Sequence, residues 1–232
     1  MNRNLSKYII LIILLGMSIP LRSQIADLKQ YRFESEINTI LQSRDGILLI
    51  GTKDRGLVEF DGQSESVFDN ESALLRDNDI QFLFQDSQKR IWISTSQGGI
   101  GYMQEGEIQY QFEESDLNEQ IVVGVIEMKN GELVVFTKNL ATYLITSQNA
   151  VMPVQSSRID NEITDVLQYE QQAWVATTKG VLIFDLIEMK YVDAVSEFEG
   201  VKINDITTSK QGLVVATDKG ITIVQESQFF SY

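Results

Sequence analysis

The chain contains no histidine and no cysteine, and these two absences limit its chemistry before any pattern is read. Histidine is the side chain most used for proton transfer near neutral pH and for holding transition metals, so serine–histidine catalysis and histidine–metal centres are excluded. Without cysteine there is no disulfide framework, thiolate metal site or sulfur nucleophile. Catalysis would have to rely on tyrosine, lysine, arginine or carboxylates. Among 33 acidic residues no pair stands out by spacing as the acid and base of a glycosidase. Asp45, Asp86, Asp165 and Asp205 lie near expected turns but lack the dense alternating carboxylates of a calcium loop. No metal and no other cofactor is expected.

The functional residue type that recurs at a fixed place is a cation. Five short turns read Lys53-Asp54-Arg55, Ser96-Gln97-Gly98, Lys138-Asn139, Thr178-Lys179 and Asp218-Lys219. Lys53, Arg55, Lys138, Lys179 and Lys219 are therefore the candidate ligand-binding residues: against an acidic background, a ring of such side chains would attract an anionic ligand such as an acidic sugar. The same residues also suit exposed turns for no reason beyond polarity and flexibility. Trp92 and Trp174 share another repeat position, where the other copies have Leu49, Val134 and Val214. Exchange with leucine and valine points to a buried core position in preference to a sugar-stacking platform.

These residues recur because the chain does. Threonines that end a short apolar run stand at Thr52, Thr95, Thr137, Thr177 and Thr217, in LLIGT, WISTS, VVFTK, WVATT and VVATD. About fifteen residues before each threonine, a first strand opens with INTIL, IQFLF, IVVGV, ITDVL or INDIT. Asp45-Gly46, Asn130-Gly131 and Gln211-Gly212 supply glycine for the hairpin that follows in three copies. The apolar run is the second strand. A glycine-bearing turn leads to a third (LVEF, IGYM, VLIF, ITIV), and a weaker fourth segment follows. A period of roughly forty residues with four short antiparallel strands is the pattern of a β-propeller blade, whose two apolar faces are buried only by neighbouring blades. The fold expected is all-β: about five four-stranded blades near residues 37–78, 79–119, 120–161, 162–201 and 202–232, forming either a closed ring or part of a longer propeller. Copy three departs from the pattern, with Phe136 where a small residue is usual and no glycine in Thr137-Lys138-Asn139-Leu140.

Residues 1–7 carry two cations, and an apolar run of about twelve residues ends before Pro20. This is the layout of a secretory signal, and the run is too short to span a bilayer as a helix. Residues 1–23 are read as a signal peptide and 24–36 as a leading segment with one strand, placing the mature chain outside the cytoplasm, in the periplasm or beyond, with no stable membrane span after cleavage. The signal region holds three of the 19 basic residues and no acidic one, leaving 16 basic residues against 33 acidic, a net charge of −17. Such a surface repels nucleic acid.

The copies INTILQSRDGILLIGTKDRGLVEFDG (residues 37–62) and IQFLFQDSQKRIWISTSQGGIGYM (residues 80–103) resemble the two-component regulator propeller repeat of extracytoplasmic sensors in Bacteroidetes-type bacteria. QAWVATTKGVLIFD and GLVVATDKGITIV match its second half. The resemblance implies a non-catalytic input role, binding an extracellular ligand, which for several family members is a glycan fragment, and an envelope signalling protein as partner. The kinase output of that family has no counterpart in this sequence. A protein-interaction scaffold at the envelope is the main alternative, and a propeller lyase or hydrolase a further one.

Overall fold

The computed structural model describes residues 34–73, 75–110, 112, 115–155, 161–225 and 228–231. Residues 1–23, read above as a signal peptide, and nearly all of the leading segment lie outside the described residues. Residues 35–232 form one compact unit of five four-stranded antiparallel sheets, each with its strands in chain order. Blade one comprises β1 (Ile37–Gln42), β2 (Leu48–Thr52), β3 (Leu57–Phe60) and β4 (Glu65–Phe68). Blade two comprises β5 (Ile80–Gln85), β6 (Ile91–Thr95), β7 (Ile100–Gln104) and β8 (Glu107–Gln109). Blade three comprises β9 (Val122–Glu127), β10 (Leu133–Thr137), β11 (Thr142–Ile145) and β12 (Val151–Gln155). Blade four comprises β13 (Ile163–Tyr169), β14 (Gln172–Thr177), β15 (Gly180–Asp185) and β16 (Lys190–Ala194). Blade five comprises β17 (Ile203–Ser209), β18 (Gly212–Thr217), β19 (Gly220–Gln225) and β20 (Gln228–Ser231). Two short 3-10 turns, Asp116–Glu119 and Ser196–Phe198, lead into blades three and five.

Register follows the threonines. In four blades the threonine pairs with the isoleucine that opens the inner strand: Ile37 with Thr52, Ile80 with Thr95, Ile163 with Thr177 and Ile203 with Thr217. In blade three the partner of Thr137 is Val122, one residue later than the sequence pattern places the strand start. Beside this pair every inner strand is bulged by one residue, which adds local twist at the same point in each sheet.

Four buried clusters hold the arc together, one per junction. Leu49 and Leu57 meet Ile80 and Ile93 between blades one and two. Trp92 and Tyr102 meet Val125 and Val135 between two and three. Val134 and Phe136 meet Val175 and Phe184 between three and four. Ala176 and Ile183 meet Ile206 and Val215 between four and five. This is why the second strands are buried on both faces, β6 and β10 at every residue. Inner strands pack in succession, β1 on β5, β5 on β9, β9 on β13 and β13 on β17, and no comparable packing joins β17 to β1 among the described residues. On blade five the positions that face a following blade elsewhere are open: Ile221 is 44% exposed, and Val214 and Ile223 are half-buried.

Close approach at the junctions requires small residues. A Cβ on Gly51 would lie 2.7 Å from Cγ2 of Ile80 in the next blade, and one on Gly124 would lie 2.6 Å from Cγ2 of Val166. Gly124 sits directly across from Phe136, and the space its missing side chain leaves is filled by Val166 of the next blade. In the turn of that copy, Leu140 takes the positive φ (66°) that glycine has elsewhere. It is fully buried between blades three and four, and this burial offsets the cost of a left-handed leucine.

Blade two carries a buried ionic lock. Asp86 is inaccessible to solvent and accepts from the backbone N–H groups of Gln88 and Arg90 (both 2.9 Å), from Arg90 Nε (2.5 Å) and from Trp92 Nε1 (2.8 Å). The Arg90 guanidinium lies over the rings of Trp92 and Tyr102 at 4.8 and 5.2 Å. Trp92 is thereby fixed as a core residue, stacked on Phe112.

Candidate ligand-binding face

The turns between second and third strands lie on the same side of each blade as the connection from the preceding blade. Lys53 N–H donates to Glu36 O, Ser96 N–H to Asp79 O, Lys138 N–H to Ile121 O and Thr178 N–H to Glu162 O. The repeated threonine shapes these turns: its hydroxyl donates to the carbonyl of Gly56 (2.8 Å), Ala141 (2.9 Å), Gly180 (2.7 Å) or Gly220 (3.2 Å) in blades one, three, four and five. In blade two Ser94 takes over, donating to Gly99 O and accepting from Val122 N–H of the next blade, and Thr95 Oγ1 is buried without a partner. The spacing of these threonines to the turn that follows is the sequence signal for this role.

All five candidate cations stand on these turns, and carboxylates stand beside Lys53, Arg55 and Lys138. Lys53 bonds Glu36 at 2.9 Å, which raises its pKa. Arg55 pairs with Glu65, and Lys138 with Glu162 at 3.4 Å. Lys179 and Lys219 are exposed, and their backbone N–H groups donate to the threonine hydroxyl two residues earlier. The cations are thus spread among acidic neighbours, two on blade one, none on blade two and one each on blades three, four and five. The named aspartates have separate roles: Asp45 pairs with Lys89 on the opposite side of the blades, Asp86 is the lock described above, and Asp165 and Asp205 lie on inner strands. Among the described residues no group of three or more acidic side chains has metal-site geometry.

Between blades three and four this face opens into a pocket of about 370 Å³, lined by Glu119, Gln120, Ile121, Lys138, Asn139, Asn161 and Glu162. Its volume falls within the usual range for a small-molecule site, and its polar groups are held in place. Asn139 Oδ1 shares the Thr137 hydroxyl proton with the Ala141 carbonyl (2.6 and 2.9 Å), and its Nδ2 donates to Gln120 Oε1 (2.7 Å). Asn161 donates to Thr177 Oγ1 (3.0 Å) and accepts from Thr178 Oγ1 (2.9 Å). Gln120 follows the 3-10 turn, which is anchored by fully buried Leu117, and its carbonyl accepts from Gly99 N–H at 2.8 Å. The walls therefore present amides with fixed orientation beside two exposed carboxylates and one paired cation, an arrangement matched to hydroxyl-rich ligands more than to polyanions. Of this set only Lys138 is a candidate from the sequence; Asn139 occupies the turn position that Asp54, Gln97, Lys179 and Lys219 hold in the other copies.

Residues 74–97 match the model of the two component regulator propeller. No protein of curated function matches the chain by sequence. Among solved structures, the chain is similar to the extracellular domain of a putative one component system from B. thetaiotaomicron, at 18% identity and a TM-score of 0.70 over 85% of this chain and 28% of that one. It is equally similar to the extracellular domain of a putative hybrid two component system from the same organism, at 18% identity and 0.70 over 88% and 29%. The chain thus spans less than a third of the length of these two domains. A third likeness is to a catalytically inactive histidine-to-alanine variant of virginiamycin B lyase from Staphylococcus aureus with quinupristin, at 15% identity and 0.63 over 88% and 72%. At these identities the likeness establishes the propeller fold.

Proposed function

We infer that this chain, a five-bladed propeller bearing a two component regulator propeller repeat, is an extracytoplasmic sensing module that binds a small hydroxyl-rich ligand, of glycan type, on its turn face. The observation that carries the reading is the pocket between blades three and four, where Asn139 and Asn161 are oriented by hydrogen bonds within the fold. Such preorganisation lowers the ordering cost of binding. Carboxylates beside Lys53, Arg55 and Lys138 favour a neutral glycan over an acidic one. A lyase role is disfavoured: the lyase neighbour is inactivated by loss of a histidine, and this chain has none. Among the described residues no helix is long and apolar enough to cross a membrane, and the basic, then apolar, start of the sequence supports export. The half-open face of blade five supports a further repeat or an envelope signalling protein as the packing partner.

The test is thermal unfolding of the chain against a panel of neutral and acidic oligosaccharides, since a ligand that binds only the folded state raises the melting temperature. A neutral glycan is expected to raise it, and Asn139→Ala and Asn161→Ala to abolish the shift. A panel without effect, or a shift indifferent to both substitutions, overturns the reading.

A further inference from the structure

The pocket between blades three and four carries an unbalanced charge. Its lining holds two carboxylates, Glu119 and Glu162, and one cation, Lys138. Lys138 Nζ stands 3.4 Å from Glu162 Oε2, so these two offset each other. Glu119 has no such counterpart: its exposed side chain makes no hydrogen bond or ion pair among the described residues. The residue two places before the opening isoleucine of each repeat is Ser35, Asn78, Glu119, Asn161 or Val201, so an acidic residue stands at this position in blade three alone.

The backbone beneath this carboxylate is fixed. Glu119 ends the 3-10 turn whose Leu117 is fully buried, and the next residue, Gln120, donates its N–H to Leu117 O at 3.1 Å. Gly98 of blade two packs against the turn so closely that a Cβ there would lie 2.9 Å from the Glu119 carbonyl oxygen. Gln120 in turn accepts from Asn139. The fold therefore keeps an uncompensated negative charge next in sequence to the oriented amides of the pocket.

We propose that Glu119 is a specificity-determining residue that makes this pocket prefer amino sugars, hydroxyl-rich ligands bearing a primary ammonium group, over their neutral N-acetylated counterparts. The inference rests on the glycan reading of the same pocket. An ammonium group has three donors and no acceptor, which suits a carboxylate with all its acceptor sites open, while sugar hydroxyls can both donate to and accept from the amides of Asn139 and Asn161. Glu162 is occupied by Lys138, which leaves Glu119 as the group that distinguishes the two sugars. Because the site is open to water, the gain is modest: opposite unit charges about 4 Å apart in water favour binding about fivefold.

The test is calorimetric titration of the intact chain with a glucosamine oligomer and an N-acetylglucosamine oligomer of equal length, at about pH 6, where such an amine carries its proton. The glucosamine oligomer is expected to bind about fivefold tighter at low salt, and the ratio of the two affinities to approach one in about 0.5 M salt. Glu119→Gln should bring the ratio close to one. Glu71→Gln, which removes the same charge from an exposed residue between blades one and two, should leave the ratio in place and so separates the pocket from the general acidity of the surface. Equal affinities in the wild type, a preference that survives Glu119→Gln, or one lost equally in Glu71→Gln overturns the role of Glu119; the glycan reading then stands if Asn139→Ala still abolishes binding of both sugars. Binding of neither sugar overturns that reading and this inference with it.

Discussion

Replacement of Asp86 by alanine is expected to be among the most damaging single changes in blade two. The carboxylate is inaccessible and takes four donors, and the Arg90 side chain it neutralises is only 11% exposed. Truncation leaves a guanidinium, an indole N–H and two backbone N–H groups without their acceptor. Breaking a buried pair by removing one partner costs about 3–5 kcal/mol. For a domain of this size each kcal/mol moves the melting temperature by roughly 2–4 °C, so a fall of about 6–20 °C is expected. The assay is urea unfolding of wild type, Asp86→Ala and the double variant Asp86→Ala with Arg90→Met. The single variant should lower the midpoint with an unchanged slope, and the double variant should regain more than half of the loss, because no buried charge is left unpaired. Added salt should leave the loss in place, since the pair is shielded from counter-ions. A cost below about 1 kcal/mol, or a double variant worse than the single, would refute the assignment of Asp86 as an ionic lock.

Other outcomes can be checked with the same equipment. Gly56→Ala combines a φ of +82° with a Cβ 2.2 Å from the Phe68 carbonyl oxygen, whereas Gly46→Ala has a similar φ and open space; the first should cost at least about 1 kcal/mol more than the second by urea unfolding. Phe136→Ala removes a fully buried ring packed edge-on against Phe184 at 5.3 Å and should lose about 3–5 kcal/mol. Asp165 has a folded pKa raised to about 6 from 3.8, so its contribution is fully present below about pH 3.8 and is lost as pH rises through 6; unfolding free energy should fall across that window by up to about 3 kcal/mol, and Asp205→Asn should flatten the fall.

Periodicity alone determined the blade count and much of the strand register, because a sheet that buries both faces against copies of itself must repeat its apolar positions. The pairing of Ile37 with Thr52 and its equivalents, and the core placement of Trp92, were legible for that reason. The third copy shows the limit. Phe136 and Leu140 read as losses in the pattern, and only the packing of the next blade shows that both are buried between blades three and four. The turn cations were legible as a set, but their carboxylate partners Glu36 and Glu65 lie 17 and 10 residues away, and the sequence does not state which charges face each other. The polar pocket and the bond from Ile206 N–H to Asp165 lie beyond the reach of spacing for the same reason: the first joins residues 16 to 19 positions apart and the second residues 41 apart, and only packing brings them within hydrogen-bond distance.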